Sequence, residues 1–197
     1  MYLYIFPGVF SKKIGTILSA SIPKYVTDIN GCSVQAFPGA TIGRLSNLVA
    51  NGTVNLKHID FLIIHVGSNN IAIHQSVNQI ISFYGDLIHY IKCKTSAQIV
   101  FTSILPRLCD FHQTERMVTK VNAELKSLCK RRHISFSNTY RSFLHKNKPD
   151  PSLFAPKDHL HLNFSGTALL RKKFINIIKH LRVYTIAHVH VWFKNVF

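Results

Sequence analysis

Residues 59–66 constrain the fold of this chain more than any other stretch. The run Phe61-Leu-Ile-Ile64 at its centre puts apolar side chains at successive positions, so a strand formed there is apolar on both faces. Both faces of a strand are buried when it lies in the middle of a parallel sheet with helices on each side. The stretch therefore predicts a central strand of such a sheet, followed at its carboxyl end by the polar turn His65-Val-Gly-Ser-Asn-Asn70.

Strand-like and helix-like segments alternate along the rest of the chain. The predicted strands are residues 2–6, 32–37, 59–66, 97–104 and 133–136, and the predicted helices are residues 11–20, 41–50, 78–92, 115–131 and 164–181. This alternation is typical of an α/β fold, here a three-layer α/β/α sandwich with a mostly parallel five-stranded sheet. The 197 residues suit one domain, which we place at residues 1–181. We expect residues 182–197 to be a tail or an added edge strand.

Composition excludes several classes of protein. A hydrophobic content of 47% argues against disorder, and no apolar run reaches the roughly 18 residues of a membrane span. Lys12 and Lys13 follow the apolar start instead of preceding it, which is the wrong order for a secretory signal. The four cysteines show no Cys-x-x-Cys pair and no metal-ligand spacing. We therefore expect reduced thiols in an intracellular, cytoplasmic protein.

The formal net charge of +16 is the most unusual bulk property of the chain. A field of this sign attracts polyanions such as nucleic acid, anionic lipid headgroups or acidic protein partners. The basic residues are concentrated in the second half, in runs such as Lys130-Arg-Arg132 and Arg171-Lys-Lys173. Solvated helix faces account for the same charge, and no zinc-finger spacing or aromatic RNA-binding motif accompanies it. Both interpretations stay open.

A second informative stretch is Asp158-His-Leu-His-Leu-Asn163, immediately before the last predicted helix. A carboxylate at Asp158 can hold the imidazole of His161 through one ring nitrogen and leave the other free as a general base. The same spacing suits a plain turn in which Asp158 and Asn163 cap backbone groups and His161 is polar surface. Sites in parallel sheets lie beyond the carboxyl ends of the strands, where this loop is predicted to fall.

Three blocks in order resemble the motifs of the SGNH (GDSL-type) hydrolases: Phe37-Pro-Gly-Ala-Thr-Ile42, His65-Val-Gly-Ser-Asn-Asn70 and Asp158-His-Leu-His-Leu-Asn163. The chain looks most similar to the esterase-like domains of non-LTR retrotransposon first reading frames. The resemblance covers residues 1–181 and implies the flavodoxin-like fold of that family. It also implies hydrolysis of acyl esters by a serine nucleophile, without a metal or an organic cofactor.

The resemblance assigns roles residue by residue. Gly39 occupies the position of the backbone N–H that donates to the oxyanion, and Asn69 occupies that of the side-chain amide donor. His161 takes the place of the base and Asp158 that of its orienting carboxylate. Fixed donors aimed at the negative oxygen of an acyl-transfer intermediate stabilise it by about 3 kcal/mol each. A plain Pro-Gly turn at Gly39 and a turn-capping asparagine at Asn69 are the structural alternatives.

The nucleophile block departs from the family pattern. Family members carry the serine in a Gly-Asp-Ser turn after the first strand, and the corresponding turn predicted here is Pro7-Gly-Val-Phe-Ser11. Alignment on Gly8 puts Val9 and Phe10 where aspartate and serine belong, and a phenylalanine cannot attack an acyl carbon. A one-residue shift lets Ser11 act as the nucleophile and donate its N–H to the oxyanion. An ordinary helix N-cap is the alternative role for Ser11.

Two functions are consistent with these features. In the first, the protein is a serine esterase for small acyl or acetyl esters. Its catalytic residues are Ser11, Asp158 and His161, and its oxyanion hole is Gly39 and Asn69. In the second, it is a non-catalytic binding module on a hydrolase scaffold, whose basic surface engages nucleic acid or an acidic partner. The altered Gly-Asp-Ser block and the +16 charge favour the second function, and the remaining motifs favour the first.

Overall fold

One parallel sheet organises the molecule. The computed structural model describes residues 14–20, Val26, Ile29 and 31–194. The strands of the sheet are β1 (Gly15–Ser19), β2 (Cys32–Ala36), β3 (Phe61–His65), β4 (Gln98–Thr102) and β5 (Ser135–Ser137). All four pairings between them are parallel, in the spatial order β2-β1-β3-β4-β5. This is the strand order of a flavodoxin-like sheet, so the predicted α/β architecture is confirmed.

β1 overturns the helix predicted over residues 11–20. Ile17 and Leu18 are both fully buried, but they belong to the hydrophobic clusters on opposite faces of the sheet. A strand buried on both faces has no apolar period, and Ile14, Ile17 and Leu18 happen to match helical spacing. The segment forms a strand and not a helix because it is hydrogen-bonded to β2 on one side and to β3 on the other. The strand predicted over residues 2–6 lies outside the described residues.

Helices cover both faces of the sheet. Those of the described ranges are α1 (Ile42–Ala50), α2 (Ser68–Ala72), α3 (Val77–Lys94), α4 (Phe111–Arg131) and α5 (Phe164–Lys194). The predicted cap Thr41 begins α1, because its hydroxyl accepts the backbone N–H of Arg44. α4 begins four residues before its predicted start at residue 115, and the short α2 lies in what the sequence predicts as a turn.

The core has two halves, one on each face of the sheet. On one face, buried side chains of α1, α3 and α4 pack on Leu18, Leu62, Ile64 and Phe101. On the other face, α5 packs on Ile17, Ile63 and Val100 through Leu170, Phe174 and Ile178. Two apolar faces on one sheet explain why β3 is apolar at successive positions, and they complete the three-layer sandwich.

Two further segments differ from prediction. The predicted loop over residues 137–157 contains a hairpin, formed by β6 (Leu144–His145) and β7 (Lys148–Pro149), between two single turns of 3₁₀-helix. Near the carboxyl end, α5 continues to Lys194, so an added edge strand is wrong for residues 184–194. The β-branched residues Ile186, Val189 and Val191 suit a strand, but a helix that is already formed extends readily through them. No helix in the described part of the chain is both long enough and apolar enough to cross a membrane.

The carboxyl ends of the strands form one rim. Just beyond β1, the N–H of Ala20 donates to the carbonyl of His65 across 3.4 Å, and the N–H of Phe37 donates to that of Ser19 across 2.9 Å. In a sheet of this order the direction of winding reverses between β1 and β3. Loops leaving neighbouring strand ends diverge at that point, so the rim above β1 and β3 is where a site is expected.

Candidate active site

Asp158 and His161 form a direct pair. Asp158 Oδ2 lies 2.7 Å from His161 Nδ1, while Asp158 Oδ1 accepts the backbone N–H groups of Leu160 and His161, each across 2.9 Å. The two backbone hydrogen bonds to Asp158 Oδ1 stabilise a tight turn over residues 158–161. This turn places the His161 imidazole next to the other carboxylate oxygen. Asp158 is therefore both the turn residue of the structural alternative and the predicted partner of His161.

The electrostatics favour an ionised carboxylate at this position. The backbone N–H groups of His161 and Leu160, followed by the His161 side chain, lower the pKa of Asp158 to about 2. With Nδ1 held by the carboxylate, His161 presents Nε2, which contacts no hydrogen-bonding group among the described residues. The side chains of the pair are about two-fifths exposed, so Nε2 is accessible from solvent. The pair has the geometry of an oriented general base.

Gly39 lies in a tight turn after β2. The N–H of Ala40 donates to the carbonyl of Phe37 across 3.0 Å, and Pro38 and Gly39 are the two central residues. Gly39 has a φ of +73°, a value that a turn of this kind requires at its third residue and that favours glycine. Within the described residues, no acceptor is bonded to the Gly39 N–H, and a Cβ at Gly39 meets no atom within 4 Å. Among the described residues, the Gly39 N–H is therefore not committed to another acceptor.

Asn69 lies in α2, directly after β3. Its side-chain Nδ2 donates to the carbonyl of Ala40 across 2.8 Å, which ties α2 to the turn that contains Gly39. An amide nitrogen carries two hydrogens, so one stays available for a second acceptor. Gly67 begins α2 with a φ of +124°, and a Cβ there would lie 2.5 Å from Tyr84 Oη. Only glycine fits at that position, and it lets the chain turn tightly enough to bring Asn69 to the rim.

Asn70 has a structural role that the sequence reasoning missed. It is fully buried, its Oδ1 accepts the N–H of Ile42 across 3.0 Å, and its Nδ2 donates to Gln75 Oε1 across 2.6 Å. The N–H of Ile42 is one of the unpaired donors at the start of α1. Asn70 thus holds the first residue of α1, while Asn69 holds Ala40 in the preceding turn.

The loop after β4 joins the two parts of the rim. Arg107 is buried, and its guanidinium binds both oxygens of Asp110 and donates to the carbonyl and hydroxyl oxygens of Ser68. Two residues further on, the N–H of Cys109 donates to the carbonyl of His159 across 2.9 Å. Hydrogen bonds therefore run from the Asp158/His161 loop through residues 107–110 to α2 and the Gly39 turn. Asp110 is only three residues from Arg107, but the contact with Ser68 spans 39 residues, and no local sequence signal predicts it.

The charge of Arg107 is balanced locally. Partial burial opposes ionisation of Asp110, but the hydrogen bonds and the charge of Arg107 outweigh it and lower the pKa of the carboxyl. The hydroxyl of Thr114 also donates to Asp110 Oδ1 across 3.0 Å. A buried arginine is tolerated here because its donors all meet acceptors.

His65, the last residue of β3, lies beneath the rim. Its Nδ1 is 2.7 Å from Thr102 Oγ1, and that hydroxyl donates to the carbonyl of Ile64, so Nδ1 carries the hydrogen of the neutral ring. Phe174 of α5 packs against the imidazole edge to face. Burial lowers the pKa of His65 to about 4. His65 is therefore a neutral core residue, and His161 is the imidazole of the site that faces solvent.

The predicted nucleophile Ser11 lies outside the described residues. The structure changes the argument for it nonetheless, because β1 ends at Ser19 and the turn after the first strand begins with Ala20. In sequence the tripeptide that stands at this point is Ser19-Ala20-Ser21. The pairing of β1 with β2 and β3 identifies this strand and hence the tripeptide. Within the described ranges, no three His, Cys, Asp or Glu side chains are grouped as a metal site.

Comparison with known proteins shows a family and a fold. The model of the GDSL-like Lipase/Acylhydrolase family matches residues 8–169, which is most of the chain. A search of curated proteins found no match to this chain.

Several solved structures share the fold. A GDSL-like lipase from Bacteroides thetaiotaomicron has 17% identity and a TM-score of 0.73, over 85% of this chain and 88% of that one. A member of the lipolytic protein G-D-S-L family from Veillonella parvula has 14% identity and a TM-score of 0.72, over 85% and 99%. A carbohydrate esterase family 3 protein from Talaromyces cellulolyticus has 13% identity and a TM-score of 0.67, over 86% and 98%. At these identities the likeness shows the fold.

Proposed function

Because the chain belongs to the GDSL-like lipase/acylhydrolase family, we propose that it is a serine esterase that hydrolyses small acyl esters, acetyl esters among them. The observation that carries the proposal is the 2.7 Å contact between His161 Nδ1 and Asp158 Oδ2, on the rim that also holds Gly39 and Asn69. An imidazole held by a carboxylate beside fixed N–H donors is what acyl transfer requires.

Two serines compete for the role of nucleophile. Ser11 comes from alignment on Gly8, and it precedes β1 in the chain. The serine of the family follows the first strand, and β1 ends at Ser19. One peptide bond beyond Ala20, whose N–H bonds to the carboxyl end of β3, the chain carries Ser21. We therefore assign the nucleophile to Ser21, with Ser19 and Ala20 in the places of glycine and aspartate, and retain Ser11 as the alternative.

In the proposed reaction, Ser21 Oγ forms a bond to the acyl carbon while its proton moves to His161 Nε2. The carbonyl oxygen becomes negative and accepts hydrogen bonds from the N–H of Gly39 and the amide of Asn69. The imidazolium, balanced by Asp158, then gives its proton to the alkoxide that leaves as the ester bond breaks. Water enters, loses a proton to His161 and attacks the acyl-serine, which releases the acid and restores the hydroxyl.

Hydrolysis of p-nitrophenyl acetate, together with labelling by a fluorophosphonate and peptide mass spectrometry, tests the assignment. We expect Ser21→Ala to lose both turnover and label, and Ser11→Ala to keep both. A label on Ser11, with loss of activity in Ser11→Ala, returns the nucleophile to Ser11. Full turnover in both serine variants, or in His161→Ala, excludes a serine esterase at this rim.

Within the family, we propose a relationship to the esterase-like domains of non-LTR retrotransposon first reading frames, which the chain resembles. The support for this is the set of blocks at 37–42, 65–70 and 158–163. Acetyl esters are therefore the first substrates to assay, ahead of long-chain lipids.

A second candidate function is binding without catalysis. It is favoured by one observation, that the two residues before Ser21 are Ser19 and Ala20 instead of glycine and aspartate. The basic surface would then engage nucleic acid or an acidic partner as the main activity of the domain. Absence of turnover and of fluorophosphonate label in a folded, unmodified protein would favour this second function over the esterase.

A further inference from the structure

Two open grooves meet at the edge of the sheet that β5 forms. The larger, of about 780 Å³, lies between α4 and the segment that runs from β5 to the β6–β7 hairpin. The smaller, of about 400 Å³, lies between β5 and α5. Both are lined by Phe136 and Asn138, so they adjoin at these residues and together make up one surface at this edge of the sheet. We call it the edge groove and define it by Lys126, Phe136, Asn138, Arg141, Lys146 and Lys173.

Cations line the whole length of the edge groove. Lys126, Arg141 and Lys146 line the larger part and Lys173 lines the smaller, and neither part is lined by an aspartate or a glutamate. Lys126, Arg141 and Lys146 are exposed. In a chain of net charge +16, three cationic side chains line one groove here and a fourth lines the groove that adjoins it.

The fold explains how these cations converge. Residues 119, 122, 123 and 126 share one face of α4, at the spacing of successive helical turns, and this face forms one wall. Opposite it, the tip of the β6–β7 hairpin carries Lys146 and Asn147, both with positive φ, as the short connection between the two strands requires. The hairpin thus holds Lys146 across the groove from Lys126.

Carboxylates are confined to one end of this surface. Glu115 lies one turn before Thr119 on α4. Burial is the main cause that raises the pKa of Tyr140, and the negative charge of Glu115 is the second. Glu115 therefore lies near Tyr140 and limits the basic surface there. From Lys126 onward, the same face of α4 continues to Lys130, a further exposed cation.

We propose that the edge groove binds single-stranded nucleic acid. Its cations would neutralise successive phosphates, while the half-buried ring of Phe136, at the junction of the two grooves, offers a face on which a base stacks. A long concave path with cations along it and a ring at its middle suits a flexible strand better than a rigid duplex or a flat membrane surface. This binding is independent of the ester chemistry, because the groove lies at β5 and the candidate active site lies above β1 and β3.

Fluorescence anisotropy with a labelled single-stranded oligonucleotide of mixed sequence tests the proposal. With four phosphates neutralised, log K is expected to fall with log salt at a slope of about −3, which is roughly a 50-fold loss between about 50 and 200 mM salt. The triple variant Lys126→Gln, Arg141→Gln, Lys146→Gln should reduce the magnitude of that slope by about 2. Lys173→Gln alone should reduce it by about 0.7, if the strand crosses β5.

A matched control separates the groove from bulk charge. The variant Arg44→Gln, Lys57→Gln, Lys94→Gln also removes two lysines and one arginine, all exposed and none in the groove. We expect it to keep the wild-type slope. Equal loss in both triple variants means that the whole surface binds non-specifically, and this overturns the proposal.

Two further arms identify the ligand. Phe136→Leu should weaken binding several-fold without changing the salt slope, because it removes a stacking face and no charge. Ser21→Ala should bind as the unmodified protein does. Binding to phosphatidylserine-containing vesicles without binding to the oligonucleotide, or tighter binding to a duplex than to the single strand, contradicts the proposal. Thermal unfolding of each variant checks that it is folded.

Discussion

Asn69 Nδ2 donates to the carbonyl oxygen of Ala40 across 2.8 Å, and this one bond joins the loop after β2 to the helix after β3. It places the two predicted oxyanion donors, the Gly39 N–H and the Asn69 amide, on either side of the same short contact. The two residues are 30 positions apart in sequence, yet each follows the carboxyl end of its strand. The parallel topology therefore places both residues at the same rim of the sheet. The hydrogen bond of the Asn69 amide then holds the two loops together there.

Asn69 and Asn70 are neighbours with separable roles. Asn69→Ala should lower kcat for p-nitrophenyl acetate by about 100- to 1,000-fold with little change in KM, because it removes a donor needed in the transition state. Asn70→Ala should instead lower the free energy of unfolding by about 1–3 kcal/mol, because the buried N–H of Ile42 loses its acceptor. Steady-state kinetics and urea unfolding on both variants check this. If Asn69→Ala loses stability and keeps kcat, Asn69 is a turn residue only.

The charge of Asp158 is expected to matter more than its hydrogen bonds. Asp158→Asn keeps an oxygen that can accept the N–H groups of Leu160 and His161, but it removes the anion that balances the imidazolium. We expect kcat to fall by about 100- to 10,000-fold, with a smaller loss of stability than in Asp158→Ala. Asp158→Ala, which loses the acceptor as well, should lose stability in addition. Equal kcat in wild type and Asp158→Asn would reduce Asp158 to a turn residue.

The pH dependence of the Asp158 contact has a definite sign. Its pKa is lowered to about 2 in the folded protein, from about 3.9 in an unfolded chain. The stabilisation is therefore complete above about pH 4 and is lost as the pH falls towards 2. Ionisation of Asp158 should add no step to the activity profile above about pH 4. An NMR titration of its carboxyl carbon measures the pKa, and a value near 4 contradicts the contact.

His65 should make the fold acid-sensitive. Burial lowers its pKa to about 4 from 6.5, so between these values the unfolded chain binds a proton that the folded protein does not. The free energy of unfolding is expected to be greatest above about pH 6.5 and to fall by about 3 kcal/mol by pH 4. Urea unfolding at a series of pH values measures this. His65→Asn should flatten the dependence, and the exposed control His112→Gln should leave it unchanged.

Arg107 is expected to support both stability and activity. Arg107→Met leaves the Asp110 carboxylate without its ion partner and the Ser68 carbonyl without its donor, and should cost about 3 kcal/mol of unfolding free energy. Because Ser68 precedes Asn69, kcat should fall more than KM rises. In the double variant with Asp110→Asn, the loss should be smaller than the sum of the single losses. Additive losses would mean that the pair is not coupled.

Local patterns were enough for the elements with strong periodicity and for contacts within one turn. The amphipathic helices α1, α3 and α4 were predictable because their apolar residues recur along one face. The contact between Asp158 and His161 was predictable because three residues separate them, and a single turn closes that distance. The assignment of Thr41 as the cap of α1 depends on the same kind of local geometry.

The misread elements lack such a local signal. β1 is buried on both faces, so its apolar residues show no period, and a chance match to helical spacing produced the wrong helix. That error moved the predicted first turn of the sheet towards the amino terminus, and the prediction of Ser11 as nucleophile depended on it; Ser21 is the proposal that follows from β1. Residues 184–194 include the β-branched Ile186, Val189 and Val191, which suit a strand, but the helix already formed before them continues.

By itself, the sequence determined the layered α/β class, the apolar centre of the sheet and the carboxylate–imidazole pair, because each depends on residues close together in the chain. Only the tertiary structure decided that β1 lies between β2 and β3, that Asn69 reaches Ala40, and that Arg107 and Cys109 join Ser68 to the loop of His161. These contacts span tens of residues, and their geometry is set by how parallel strands align at one rim. Pairing across the sheet therefore turns separate short motifs into one site.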